Sequence, residues 1–157
     1  MPEASNMLYQ IVGFHFRVSF LNLPTSKKEV DVMFQSVTGL DVQVEKEPLK
    51  EGGENRFEHS LPGRRKYSAL TLKRGILKPK DSGLSEWCQQ AFYDLDITPI
   101  GKVNIELLNE EHQALMQWEL SHVWPVSWKV GELNAERGEV LIETFELNYN
   151  YYKLVVN

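Results

Sequence analysis

The chain has 157 residues and a mass of 18.2 kDa, the size of one ordinary domain and long enough to bury a sizeable core. Its 42% hydrophobic, 11% aromatic and 25% charged content excludes intrinsic disorder, collagen-like sequence and a coiled coil along the whole length. Seventeen Lys and Arg against 22 Asp and Glu give a formal charge of −5, a balance that disfavours stable binding to a phosphate backbone.

Residues 12–20 alternate strictly, with Val12, Phe14, Phe16, Val18 and Phe20 on one face, which predicts a half-buried strand. A loop from Asn22 to Glu29 carries Pro24 and two lysines. Val32 and Phe34, then Leu40, Val42 and Val44, resume the alternation with an interruption at Gly39, the pattern of two short strands or one bulged strand. Lys66 to Arg74 alternates again through Leu70 and Leu72.

The period then changes. Leu84, Trp87, Cys88, Ala91 and Leu95 form the stripe of one amphipathic helix of about 12 residues. Asp81 or Ser82 is positioned to cap it, and Pro99 and Gly101 to end the segment. Strands return at Val103, Ile105 and Leu107 and, after the polar turn Asn109 to His112, at Met116, Trp118 and Leu120, together a predicted hairpin. The last strand, Val140 to Tyr152, changes phase between Ile142 and Phe145, which predicts a bulge near Thr144 or burial of both faces at one end. The sum is a mainly β protein: an antiparallel β-sandwich or barrel with one amphipathic α-helix.

One segment fits none of these elements. Between Glu45 and Lys66 the charges run in blocks, acidic around Glu47 to Glu54 and basic at Arg64, Arg65 and Lys66, with Gly52-Gly53, two prolines, and Phe57 and Leu61 as isolated apolar groups. A structureless loop of that length is uncommon in a compact domain. It reads either as a mobile surface loop or as an arm that packs on a neighbouring subunit. Long alternating strands with few prolines also leave edges that must be closed or paired. Closure within one chain and ring closure across subunits both satisfy that need.

The chemical inventory is thin. His15, His59, His112 and His122 lack metal-ligand spacing. Cys88 sits on the helical stripe with no candidate base. Gly52-Gly53 has no P-loop context, and the Glu110-Glu111 pair occupies a polar turn. Trp118, Trp124 and Trp128 with Pro125 either line a ligand groove or belong to the core. No catalytic, cofactor-binding or metal-ligating residue is therefore assigned, and the reading is that the chain is not an enzyme. A single cysteine, no apolar signal segment and no run of 18 apolar residues predict a chain made soluble in a reducing cytoplasm, with no membrane span.

Several ordered stretches together resemble the tail-tube proteins of contractile phages and phage-like injection systems: VGFHFRVSF at 12–20, FQSVTGLDVQVE at 34–45, EGGENRFEHSLPGRRKY at 51–67, LTLKRGIL at 70–77 followed by SGLSEWC, LLNEEHQALMQWEL at 107–120 with VWPVSW after it, and IETFELNYNYY at 142–152. The resemblance spans nearly the whole chain, 1–157, as one tail-tube domain. It implies the two-sheet, one-helix architecture shared with type VI secretion ring proteins of the Hcp kind. It further implies homohexameric rings stacked into a hollow conduit that sheath contraction drives into a target. The partners it implies are further copies of the chain, the sheath, baseplate or tube-initiator and terminal cap proteins, and a toxin or DNA cargo in the lumen. Assembly would occur in the bacterial cytoplasm, in a phage tail or a particle that can be released. The arm at about 45–66 would reach the adjacent ring, with Glu51, Gly52, Gly53, Arg56, Phe57, Leu61, Arg64 and Arg65 at the contact. Six copies at −5 each would give a ring of −30. Two rivals stand beside this: a tube-initiator or baseplate ring of the same machine, and a monomeric β-barrel binding module.

Overall fold

The computed structural model describes residues 15–23, 34–49 and 59–156. The strands are β1 (Phe16–Leu21), β2 (Ser36–Thr38), β3 (Val42–Leu49), β4 (His59–Tyr67), β5 (Leu70–Gly75), β6 (Ile100–Leu108), β7 (Ala114–Val130), β8 (Ile142–Asn148) and β9 (Tyr151–Val156). A short 3-10 turn at Pro79–Asp81 leads into the helix α1 (Gly83–Phe92) between β5 and β6. The mainly β, one-helix architecture is the one expected.

Seven strands form a sheet in the order β1-β6-β7-β8-β5-β2, with β9 also on β7. Every pairing is antiparallel. The 17-residue β7 organises it, pairing along its first half with β6 and β9 and along its second half with β8. His122, at φ 57°, sits between the two halves. Opposite it, the chain breaks between β8 and β9 at Tyr149-Asn150, where the Asn150 amide donates to the Ser121 carbonyl at 3.0 Å. Both partners thus turn at one level, and the sheet folds there into two layers.

The facing registers explain the core. Val18 lies opposite Ile105 and Phe20 opposite Val103 on one layer; Leu70 opposes Leu147 and Leu72 opposes Phe145 on the other. These residues are buried, and with Leu120, Val123, Leu84, Trp87 and Cys88 they form one apolar cluster between the layers and the helix. Strand alternation supplies one face from each strand, and the helix supplies its i, i+3, i+4 stripe.

Three expectations need correction. The helix ends at Phe92 with Tyr93 as its last cap, so Leu95 leaves the stripe; it lies at φ 55° and is exposed. The helix N-cap is Ser82, one of the two candidates, with Oγ accepting from the Ser85 amide at 3.1 Å. The last strand keeps its phase through Thr144, because the inward column is Glu143, Phe145, Leu147 and Tyr149. The shift comes at Tyr149-Asn150, after which Tyr151 faces out and Tyr152 is half-buried. Likewise Lys66 to Arg74 is not one strand: it breaks at Ser68-Ala69, and its two parts belong to different sheets. The hairpin expected after Val103 is present as β6 and β7, with Asn109 Oδ1 accepting from the Glu111 and Gln113 amides to close the turn.

Candidate subunit interface

β3 and β4 form a two-stranded sheet of their own. The block-charged segment is thus, in its described part, a β-hairpin rather than a loop. Its register runs from Val42 opposite Tyr67 to Leu49 opposite His59, with an irregularity between Val44 and Lys46. Gly63 belongs to this close pairing, since a Cβ there would come within 2.8 Å of the Glu45 carbonyl oxygen.

Among the described residues no second layer covers it. Residues 41–48 are all exposed, as are Leu61, Arg64, Arg65 and Lys66. A lone two-stranded hairpin is at best marginally stable in water, so what holds it to the rest of the chain is concentrated at its base. There Gly39, at φ 96°, runs against the Ala69 carbonyl so closely that a Cβ would lie 2.0 Å from the oxygen. Only glycine has both the conformation and the clearance. Tyr67 closes the base from β4: its ring meets Tyr152 edge-on at 5.0 Å and Tyr149 at 5.9 Å. The Tyr149 hydroxyl donates to the Ser68 carbonyl at 2.7 Å. Burial, reinforced by the neighbouring tyrosines and Asp41, pushes the Tyr149 phenol well above its ordinary range and raises Tyr152 in the same sense. The base is therefore a knuckle of three packed tyrosines.

Of the residues named from the sequence, Leu61, Arg64 and Arg65 lie together on β4, and Leu61 is 47% exposed. Glu51, Gly52, Gly53, Arg56 and Phe57 lie outside the described residues. So do Val12, Phe14, Val32 and the Pro24 loop.

The remaining chemistry-bearing residues are placed as follows. His15 and His112, far apart in sequence, meet edge-on at 4.4 Å, a contact that spacing did not reveal. Among the described residues no group of three or more His, Cys, Asp or Glu is arranged to hold a metal ion, and no helix is long and apolar enough to cross a membrane. Cys88 is buried in the apolar cluster. The tryptophans do not share one groove: Trp118 packs against the core, Trp124 contacts His122, and Trp128 stacks on Phe145 at 6.0 Å.

Sequence reading missed the tyrosine knuckle and a buried ion pair. Arg74 Nε donates to Glu143 Oε1 at 2.9 Å, and Arg74 Nη2 donates to Ser82 Oγ at 2.7 Å and Ser85 Oγ at 3.1 Å. The guanidinium also lies 5.1 Å from the ring centres of Phe34 and Phe145. One side chain thus ties β5, β8 and the start of α1 together.

Among the described residues, then, a two-layer β body carries an isolated and exposed two-stranded hairpin. The profile of the T4-like virus tail tube protein gp19 family matches residues 12–153. A chain in the anti-feeding prophage baseplate, solved with 6-fold symmetry applied, is 32% identical over 96% of this chain and 98% of its own, with a TM-score of 0.83. A chain of the PVC extracellular contractile injection system, from its extended sheath-tube complex, is 22% identical over 95% and 93% of the two chains, with a TM-score of 0.75. Hcp1 from Salmonella typhimurium shares the fold at 11% identity over 88% and 83%, with a TM-score of 0.53. No curated protein matches the chain in sequence. The chain belongs to the T4-like virus tail tube protein gp19 family. Its class is that of structural tube or ring subunits of contractile injection systems.

Proposed function

We propose that the whole chain acts as one tail-tube domain, assembling into homohexameric rings that stack into a hollow inner tube, with the arm at about 45–66 reaching the adjacent ring. Baseplate or initiator and cap proteins bound the tube, a contractile sheath surrounds it, and toxin or DNA cargo occupies the lumen. Assembly takes place in the bacterial cytoplasm, within a phage tail or a releasable particle. The role is mechanical: contraction of the sheath pushes a stiff conduit through an envelope, and the chain itself performs no reaction. The observation that carries this reading is the 32% identity, over nearly all of both chains, with a chain from a 6-fold symmetrised baseplate. The uncovered hairpin supports it, because a neighbour would bury Leu61, Val42 and Val44 and satisfy the free strand edges. Heterologous contacts that close at six and then repeat along an axis give a tube from one small chain.

The anti-feeding prophage relative comes from a baseplate, which favours a second reading: an initiator whose single ring starts the tube without polymerising. Leu61→Asp tests the contact common to both. It places a charge on an exposed position, so the monomer should keep its far-UV circular dichroism and melting temperature while assembly drops at least about tenfold. Undiminished rings and tubes from that variant would contradict the role given to the hairpin.

A further inference from the structure

The segment after α1 is held in an unusual way. Tyr93 is 75% and Leu95 85% exposed, and Ile97 is exposed beside them. Leu95 takes φ 55°, a left-handed conformation that costs a leucine roughly 1–2 kcal/mol. This is not a fraying end. The Asp96 amide donates to the Gln90 carbonyl at 3.0 Å, Thr98 Oγ1 to Asp96 Oδ1 at 3.3 Å, and Trp87 Nε1 to the Thr98 carbonyl at 2.7 Å. The loop is pinned from both sides so as to present three large apolar groups to solvent, the mark of an interaction surface.

Its charge is also one-sided. From Asp81 to Gly101 the chain has Asp81, Glu86, Asp94 and Asp96 and no Lys, Arg or His. The complement is on strand β4 of the hairpin, where Arg64, Arg65 and Lys66 are consecutive; the facing strand β3 carries Glu45, Lys46 and Glu47. On β4 the three consecutive bases are exposed, with Arg65 across from the exposed Val44 and Lys66 across from Gln43, and Leu61 stands exposed earlier on the same strand. Among the described residues, none of Arg64, Arg65, Lys66, Asp94 and Asp96 takes part in an ion pair. An acidic apolar surface and a basic apolar surface therefore occur on one chain without satisfying each other.

We propose that the Tyr93–Ile97 loop receives strand β4 of a second copy of this chain, with Asp94 and Asp96 against Arg64 and Arg65, and Leu95 against the apolar side chains of the hairpin. The inference rests on the tube reading and names the acceptor surface for its arm. Unlike surfaces on one chain make a heterologous contact, the kind that propagates, and opposite charge sets its register.

The experiment is a charge swap in the full chain, read by pelletable polymer and electron micrographs, with circular dichroism as the check on folding. Asp94→Lys with Asp96→Lys, and separately Arg64→Glu with Arg65→Glu, should each cut polymer at least about tenfold. The four changes together should restore it to within about threefold of the parent chain. Leu95→Asn guards against trivial unfolding: asparagine tolerates the left-handed conformation, so the monomer should be no less stable while polymer still falls. Polymer at the parent level in the loop variants, or a combined variant no better than either pair, would overturn the proposal; it would leave the loop to a different basic partner. If the parent chain never assembles, the tube reading fails and takes this contact with it. If the parent assembles and Leu61→Asp blocks it while the loop variants do not, the contact alone is wrong.

Discussion

Arg74 and Glu143 are 2% and 0% exposed, which puts two charges where water cannot reach them. The desolvation is offset by the ion pair, by the two serine hydroxyls of the helix start and by two aromatic faces. Removing one partner strands the other. Arg74→Met should therefore destabilise the fold by roughly 3–5 kcal/mol, whereas Arg74→Met with Glu143→Met should recover most of the loss. Urea melts of the parent and the two variants measure this, and an Arg74→Met variant within about 1 kcal/mol of the parent would contradict the arrangement. The pair also shows where sequence reading stops. Arg74 extends the inward column Leu70, Leu72, and Glu143 begins the column Phe145, Leu147, so each is a charge in an apolar register. Alternation alone assigns such residues outward, and so it puts a phase change near Thr144 that the paired strands do not have. Their match becomes visible only once β5 and β8 are paired.

At the scale of elements, the hairpin depends on its base. Tyr149 must be neutral to donate to the Ser68 carbonyl, and its phenol is raised by burial first and by Tyr152, Tyr67 and Asp41 after it. A folded-state value above the unfolded one means that the native chain holds the proton longer. The stabilisation is thus complete below about pH 10, the unfolded value, and is lost as pH climbs beyond it. Stability should fall more steeply above pH 10 in the parent than in Tyr149→Phe, while at pH 8 the variant should be weaker by about 1 kcal/mol for the lost hydrogen bond. Denaturant melts from pH 8 to 11.5 provide the check; parallel pH profiles would remove Tyr149 as the source. Elements with a clean period were legible from the residues: the Leu84, Trp87, Cys88, Ala91 stripe and the β6–β7 hairpin stand as read. The kinked ones were not. Leu95 continues the helical spacing numerically, yet the chain leaves the helix at Tyr93. Strand β4 was hidden because Pro62, Gly63 and three bases suppress every strand signal, and only pairing with β3 makes it one.

The whole molecule is a two-layer β body that satisfies its own core and a hairpin that does not. That asymmetry, in a member of a tail-tube family, is the physical argument for the proposed assembly: the buried cluster lets the chain fold, and the exposed hairpin is the surface the proposal gives to neighbours. Which residues touch those neighbours was readable only as a block of charge and stray apolar groups, since an interface is a property of two surfaces and one chain displays half of each. The most direct measurement is the mass of the purified full chain at rising concentration, taken alongside negative-stain micrographs. The account predicts rings of six 18.2 kDa subunits, stacked into tubes with a central channel. A species that stays monomeric at the highest concentration, with no rings on the grid, would contradict it.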